Sequence, residues 1–372
     1  MVHPLSIAIY INLFWIFLTS FTSTMPMVSF KFFLSRIWFV IPMYFLATQL
    51  FKNRRNIEKF HWLYIIALIL VIGYTNYRLS GYGLDNQRAS NWVVWPFFSD
   101  HTSYGAMLVM FIFPLFWFLK RKTGGLLQKS LTAFVFLIFI FGIILSYTRA
   151  AWLSLFAAIG LWILIKLRIK IQTVMISGLV IVGLFFVLQQ NILWKLEKNE
   201  AESSGQFSEH VQSMVNITSD ASNLERLNRW KCAIQMFKEK PFWGWGPGTY
   251  MFQYAPFQFS YDRTIISTNF GDLGNAHSEY LGPLAESGVL GMLSVMLVVF
   301  MAFRTGYRVY HQSQSKEIKE LSLYIILGLS TYFIHGFLNN FLDTDKASVP
   351  VWGFMAMLVA LDVYHKKSEK KI

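Results

Sequence analysis

The sequence predicts an all-α polytopic membrane protein with about ten transmembrane helices, and three observations lead to this fold class. Apolar residues fill 55% of the 372 positions and charged residues only 14%, a balance that soluble domains with an ordinary polar surface do not have. Apolar runs long enough to cross a bilayer recur along most of the chain. The basic residues behind the net charge of +13 cluster between those runs. That pattern is typical of topology signals and argues against a nucleic-acid-binding surface.

Ten apolar stretches are each long enough for a transmembrane helix, which needs roughly 17 to 20 residues. They run over 5–21, 33–50, 61–77, 101–119, 130–146, 149–165, 171–188, 288–303, 321–337 and 350–364. The first stretch lacks the basic residues and the small-residue cleavage pattern of a signal peptide. We therefore expect it to remain as a helix.

The loops between these stretches differ strongly in basic residues, which predicts their orientation. One alternating set holds 19 Lys and Arg residues, against six in the short loops and helix edges of the other set. The richer set consists of 52–59, 120–129, 166–170, 304–319 and 366–371. Because positive charge resists translocation, we expect this set and both termini to be cytoplasmic. The long segment 190–287 then faces outward.

This long segment is predicted to be partly helical. Ser222 and Glu225 form a capping-box pattern that opens a helix, and Pro241 ends it. Apolar residues recur at helical spacing between these points, and the stripe could lie on the membrane or on the helix bundle. Its members are Leu224, Leu227, Trp230, Ile234 and Phe237. A glycine-rich turn at 243–248 and an aromatic stretch to Tyr261 follow. The aromatic rings could stack on sugars or pack against lipid.

Four ionisable residues on the outward side are candidates for chemistry. Arg149 lies at a very short turn on the outward side, where the preference of basic residues for the cytoplasmic side makes an arginine unusual. It could also simply anchor the helix to lipid headgroups. Arg226 and Arg229 lie on the predicted loop helix, either on a solvated face or converging on a phosphorylated ligand. His277 comes just before a predicted transmembrane span. It could be an ordinary polar residue at the membrane boundary, or it could act as a general base.

An ordered set of motifs around these residues resembles the O-antigen ligase and O-antigen polymerase family. His277 and Ser278, followed after nine residues by Gly288 and Gly291, look like the family's histidine and spaced Gly-x-x-Gly signature. The match includes the neighbouring Asn275 and Glu286. Residues 226–230 resemble the family's Arg-x-x-x-Trp helix, 244–248 its Gly-x-Gly-x-Gly turn, and 146–149 its transmembrane arginine motif. Residues 99–105 look like a helix entrance found in members of the group.

The resemblance covers about 145–300 closely and implies a GT-C-like membrane glycosyltransferase. The chain departs from the family by having about ten helices where eleven or twelve are usual. We expect N-terminal transmembrane helices at 1–144, a ligase-related core at 145–303 that includes the loop 190–287, and C-terminal helices at 304–372.

The resemblance also implies a mechanism. The donor would be a glycan on undecaprenyl pyrophosphate at the periplasmic face of the bacterial inner membrane. Arg149, Arg226 and, more weakly, Arg229 would hold the pyrophosphate, and His277 would take the proton of the acceptor hydroxyl. Glu286, Gly288 and Gly291 would support the motif, the glycines by allowing close helix packing. No metal and no cofactor are expected, and the partners would be the glycan substrates and membrane lipids.

Several alternatives stay open at this level. The acceptor could be lipid A-core, which defines a ligase and which we favour, a second lipid-linked glycan, which defines a polymerase, or a protein hydroxyl. A lipid-linked glycan transporter would need ionisable groups at mid-membrane and two corresponding halves; a structural scaffold would need no reactive residues. Residues 343–345 spell Asp-x-Asp, which we interpret as a solvated loop or an acceptor contact. The single cysteine, Cys232, excludes an intrachain disulfide.

Overall fold

A computed structural model describes residues 2–121, 125–167, 221–260, 263, 267 and 274–366. All regular elements within these ranges are helical, which confirms the predicted all-α class. The helices, in chain order, are α1 (Pro4–Phe21), α2 (Pro26–Leu50), α3 (Arg54–Ser80), α4 (Gln87–Val93), α5 (His101–Lys120), α6 (Leu126–Leu145), α7 (Arg149–Lys166), α8 (Ala221–Glu239), α9 (Leu281–Gln312), α10 (Lys316–His335) and α11 (Asp345–His365).

Eight of the described helices are long and apolar enough to cross a membrane, which makes this a membrane protein. They are α1, α2, α3, α5, α6, α7, α9 and α11. The more polar α10 covers most of the predicted span 321–337, and nearly all of its residues from Leu321 to Phe333 are buried in the bundle. The predicted span 171–188 lies outside the described residues. Helix α9 begins at Leu281, earlier than the predicted 288, because its first turns carry polar and small residues that a hydropathy pattern does not count as membrane-spanning.

Burial separates central helices from peripheral ones. Most of α5, α10 and α11 is buried, whereas less than a quarter of α2, α6 and α7 is fully buried. Because lipid tails are as apolar as leucine, the outward apolar faces are satisfied by the bilayer, and the helices are joined by close packing and polar contacts. One such contact is the 2.9 Å hydrogen bond from Asn12 on α1 to Ser294 on α9.

The basic loops meet at one end of the bundle, as the topology requires. Arg121 forms ion pairs of 2.8 Å with Glu58 and with Glu317, and Lys166 lies 3.0 Å from Glu320. His3, near the N-terminus, contacts Asp362 in α11 at 3.2 Å. The described parts of the five loops and of both termini therefore share this end, here called the basic end, while the candidate residues lie at the opposite end. Which compartment each end faces stays a prediction from charge bias.

Candidate functional site

The loop helix α8 has the predicted bounds but buries a different face. Its buried residues are Glu225, Asn228, Arg229, Cys232, Ala233 and Met236, while the predicted apolar stripe is half-buried or exposed. The pattern of apolar residues does not predict this buried face, because two of its residues are charged. They can be buried because they form an ion pair, in which Arg229 Nε lies 2.6 Å from Glu225 Oε1. The small residues Cys232 and Ala233 then allow close packing against a tyrosine pair in the loop.

Arg229 is held inside this loop core. Its guanidinium carbon lies 3.9 Å from the centre of the Tyr254 ring, and the hydroxyl of Tyr250 donates a 2.7 Å hydrogen bond to its carbonyl oxygen. The rings of Tyr250 and Tyr254 stack at 5.4 Å and are buried, so these two aromatics are structural and do not form an open sugar platform. Arg229 remains close enough for its charge to act on His277.

Arg226 lies one turn before Arg229 and has a different setting. It is half-buried, and its Nε donates a 3.1 Å hydrogen bond to the carbonyl of Leu338, in the connection between α10 and α11. His101, His277 and His335 all lie within electrostatic reach of its charge. The charge of this one arginine thus acts on three histidines that are far apart in the sequence.

His277 lies in the connection that leads into α9, in a constrained backbone. Its φ of 47° falls in the left-handed region, which non-glycine residues seldom adopt. The amide of His277 donates to Asn275 Oδ1 at 2.9 Å, and its carbonyl accepts from Trp230 Nε1 at 3.3 Å. These two contacts anchor the backbone of His277 on both sides of its side chain.

The surroundings of His277 favour a neutral imidazole. Burial, followed by the positive charges of Arg226 and Arg229, lowers its pKa to about 4, against a smaller opposing effect of Glu225 and Asp100. At neutral pH the ring is therefore unprotonated and can accept a proton. Of the predicted arginines, Arg226 has the largest electrostatic effect on His277.

The turn that carries Arg149 lies at the same end of the bundle and contacts the start of α5. Thr148, the residue before it, donates a 2.8 Å hydrogen bond from Oγ1 to the carbonyl of His101. Gly105 permits this approach, since a Cβ added there would lie 2.7 Å from Thr148 Oγ1. Asp100 caps α5 by accepting hydrogen bonds from two backbone amides of its first turn, which makes this entrance rigid. The turn that carries Arg149 is therefore fixed beside His101, which lies within reach of the Arg226 charge.

Glu279 is a functional-site residue that the sequence analysis missed. Its buried Oε1 accepts hydrogen bonds from the hydroxyl of Tyr332 at 2.5 Å and from the amides of Phe341 and Leu342 at 2.7 and 2.9 Å. Burial raises the pKa of this carboxyl group. Glu279 thus joins the His277 segment to the connection that holds Arg226. Its position two residues after His277 was the available sequence signal.

His335 and Asn339 were missed as well. His335 is buried at the end of α10, and its Nε2 lies 2.9 Å from Asn339 Nδ2. The amide of Leu338 donates to the carbonyl of His335 at 2.9 Å, so the same short turn that contains the pair presents the Leu338 carbonyl to Arg226. A histidine and two asparagines directly after an apolar span were the signal in the sequence.

Gly288 breaks helix α9. Its φ of 69° and ψ of −169° are open only to glycine, and a Cβ added there would lie 2.1 Å from the carbonyl oxygen of Phe242. The amide of Val289 then donates a 2.9 Å hydrogen bond to the carbonyl oxygen of Pro241. Gly288 therefore allows a backbone break and a close approach of the loop, which differs from the expected helix packing. Gly291 follows in the next turn, where an added Cβ would meet a neighbouring side chain at 2.4 Å.

The break leaves backbone carbonyls that the glycine-rich turn uses. The amides of Trp245 and Gly246 donate to the carbonyls of Ala285 and Glu286 at 3.1 and 2.7 Å. The Glu286 carboxylate accepts from the Tyr250 amide at 3.0 Å. The two segments that resemble family motifs, 244–248 and 286–291, are thus joined to each other by backbone hydrogen bonds. In this structure Glu286 is half-buried and supports the loop through its contact with the Tyr250 amide.

The Asp-x-Asp segment lies at the start of α11. Asp343 forms a 2.8 Å ion pair with Arg36, and Asp345 pairs with the adjacent Lys346 at 3.0 Å. Within the described ranges, no group of three or more His, Cys, Asp or Glu residues is arranged to hold a metal. The two carboxylates are therefore engaged with basic side chains at the surface, which agrees with a solvated loop.

Comparison with known proteins adds one finding. Residues 134–296 match the family model described as O-antigen ligase. The matched range contains Arg149, Arg226, Arg229, His277 and the α9 break, whereas His101 and His335 lie outside it. No curated protein matches the chain.

Proposed function

We propose that this chain moves a glycan from undecaprenyl pyrophosphate to the hydroxyl of lipid A-core. The match of residues 134–296 to the O-antigen ligase family model supports a glycan-transfer role in O-antigen processing. The family description favours this ligase reaction. The polymerase reaction, in which the acceptor is a second lipid-linked glycan, is the alternative within the same chemistry. We place the reaction on the periplasmic face of the inner membrane, opposite the basic end, with both termini cytoplasmic.

One observation carries the proposal: a buried histidine with an anchored backbone lies within electrostatic reach of an arginine that a different part of the chain holds. His277 is fixed through Asn275 and Trp230, and Arg226 through Leu338. An imidazole that is unprotonated at neutral pH suits a general base, and a guanidinium suits phosphoryl oxygens. The pair meets the two needs of glycosyl transfer from a pyrophosphate.

The reaction can be written with these residues in place. The acceptor oxygen attacks the anomeric carbon of the donor glycan, and its proton passes to the imidazole of His277. The bond from the anomeric carbon to the pyrophosphate oxygen breaks, and its electron pair leaves with undecaprenyl pyrophosphate. Arg226 and Arg149 hold the phosphoryl oxygens as this negative charge develops. Arg229, paired with Glu225, adds positive potential from within the loop core and keeps the helix in place.

Donor binding would also strengthen the base. In the free protein the charges of Arg226 and Arg229 help to lower the pKa of His277 to about 4. A pyrophosphate bound at Arg226 offsets that charge, and the pKa of His277 then rises towards its ordinary value. The imidazole becomes a better proton acceptor only when the donor is present. No metal and no cofactor enter this scheme, because the arginines supply the positive charge.

The test is glycan transfer by the purified protein in detergent. Lipid-linked donor is supplied with lipid A-core or with a second donor, in the presence of a chelator, for wild type, His277→Ala and Arg226→Gln. We expect transfer with chelator present, a loss of at least about a hundredfold in His277→Ala, and a large loss in Arg226→Gln. His311→Ala, which removes a histidine at the other end of α9, and the exposed Arg55→Gln are the matched controls.

The acceptor consumed distinguishes the ligase from the polymerase. Full activity of His277→Ala would overturn the assigned base, and loss of transfer on chelation would overturn metal independence. Absence of transfer to either acceptor, with movement of lipid-linked glycan across vesicles, would replace the transferase with a transporter.

A further inference from the structure

A cavity lined by charged and aromatic side chains lies at the basic end, far from the candidate site. It has a volume of about 420 Å³ and lies between the ends of α5, α7 and α10. Four cations and two carboxylates line it together with two aromatic side chains, Trp117 and Tyr324. The proposed glycosyl transfer uses none of these groups.

The charges around this cavity do not cancel. Glu317 is occupied by Arg121 at 2.8 Å, and Glu320 by Lys166 at 3.0 Å. Lys120 and Lys316 are exposed and have no carboxylate partner among the described residues. The lining therefore keeps two positive charges that a ligand can neutralise.

A buried hydroxyl group points to the same ligand chemistry. Tyr324 is 1% exposed, and within the described part of the chain its hydroxyl has no hydrogen-bond partner. A buried hydroxyl that makes no hydrogen bond is destabilising, so its presence in the wall of a cavity calls for a partner. A phenol can donate its proton to an anionic oxygen.

Apolar rings lie beside the cations of the cavity. The Lys120 ammonium lies 4.6 Å from the Phe116 ring centre on the buried helix α5 and 5.5 Å from that of Trp162 on the peripheral helix α7. A ligand that combines a phosphate with an apolar chain fits this arrangement, with the phosphate at the lysines and the chain along the rings.

We infer that this cavity binds the phosphate group of an anionic phospholipid, through Lys120, Lys316 and the hydroxyl of Tyr324. Free phosphate shares this chemistry and is the other source of the ligand. The inference does not depend on the glycan-transfer reaction, because the cavity and the candidate site lie at opposite ends of the bundle.

The experiment counts bound lipid by native mass spectrometry during titration of the purified protein with phosphatidylglycerol or phosphatidylcholine. We expect the first phosphatidylglycerol to bind at least about fivefold more tightly than phosphatidylcholine. Lys120→Gln combined with Lys316→Gln should weaken it by roughly 5- to 30-fold, because each basic residue near an anionic headgroup contributes about 1 kcal/mol. Tyr324→Phe, which removes only the hydroxyl, should weaken it by about fivefold.

Arg55→Gln combined with Lys59→Gln is the matched control, since it removes two exposed charges at the same end but outside the cavity. It should change the affinity less than twofold. An equal loss in the control pair, or equal binding of the two lipids by wild type, overturns the site. Inorganic phosphate added as a competitor separates the sources: displacement of the lipid identifies the phosphate as sufficient, and lack of displacement identifies the whole phospholipid as the ligand.

Discussion

Replacing Gly288 with alanine tests the break in α9 that joins the loop to the bundle. A Cβ at this position would lie 2.1 Å from the carbonyl oxygen of Phe242, and φ is 69°. The backbone strain costs about 1 to 3 kcal/mol. Moving the loop away from the new methyl group breaks the contacts of Val289, Trp245 and Gly246 with their carbonyls, at about 0.5 to 1.5 kcal/mol each. We expect the free energy of unfolding to fall by about 3 to 7 kcal/mol.

The assay is thermal or denaturant unfolding in detergent, run beside glycan transfer. Gly73→Ala and Gly160→Ala are matched controls, because an added Cβ meets nothing within 4 Å at either helical position. They should leave stability unchanged or raise it by up to about 1 kcal/mol. If Gly288→Ala unfolds like these controls and keeps full transfer, the break does not hold the loop and our account of the motif is refuted.

Three further predictions concern the site. Glu279→Ala should destabilise the protein by about 3 kcal/mol or more, because a buried hydroxyl and two buried amides lose their acceptor, and transfer should fall with it; unchanged unfolding would contradict this. In NMR titrations of histidine-labelled protein, His277 should gain its proton as the pH falls through about 4, and Arg226→Gln should raise this pKa because a nearby positive charge is removed; a lowered or unchanged pKa would show that the charge does not act on the ring. Asp343→Asn and Asp345→Asn should keep transfer within about twofold, since surface ion pairs contribute only about 0 to 1 kcal/mol; a large loss that added Mn²⁺ relieves would restore the Asp-x-Asp segment as a metal site.

The site was only partly predictable from the sequence. His277 and Arg226 were identified by their motifs, and the structure places His277 within electrostatic reach of Arg226. Their supports, Glu279 and the turn from His335 to Leu338, were missed because they act through contacts between segments that are distant in the chain. Arg229 was predicted beside Arg226 as a second phosphate ligand. Its burial against Glu225 depends on how α8 packs, which residue type and spacing do not reveal.

Composition and periodicity determined the membrane character, the position of most helices and the grouping of the basic loops, because lipid imposes long apolar runs and charge resists translocation at every span separately. These constraints act on each stretch of the chain separately, so the pattern of residues within a stretch is enough to predict their effect. The tertiary structure decided the buried face of α8, the break at Gly288 and the effect of the Arg226 charge on three histidines. Each of these features depends on a group from elsewhere in the structure, such as the carboxylate that neutralises Arg229 or the carbonyl that approaches Gly288.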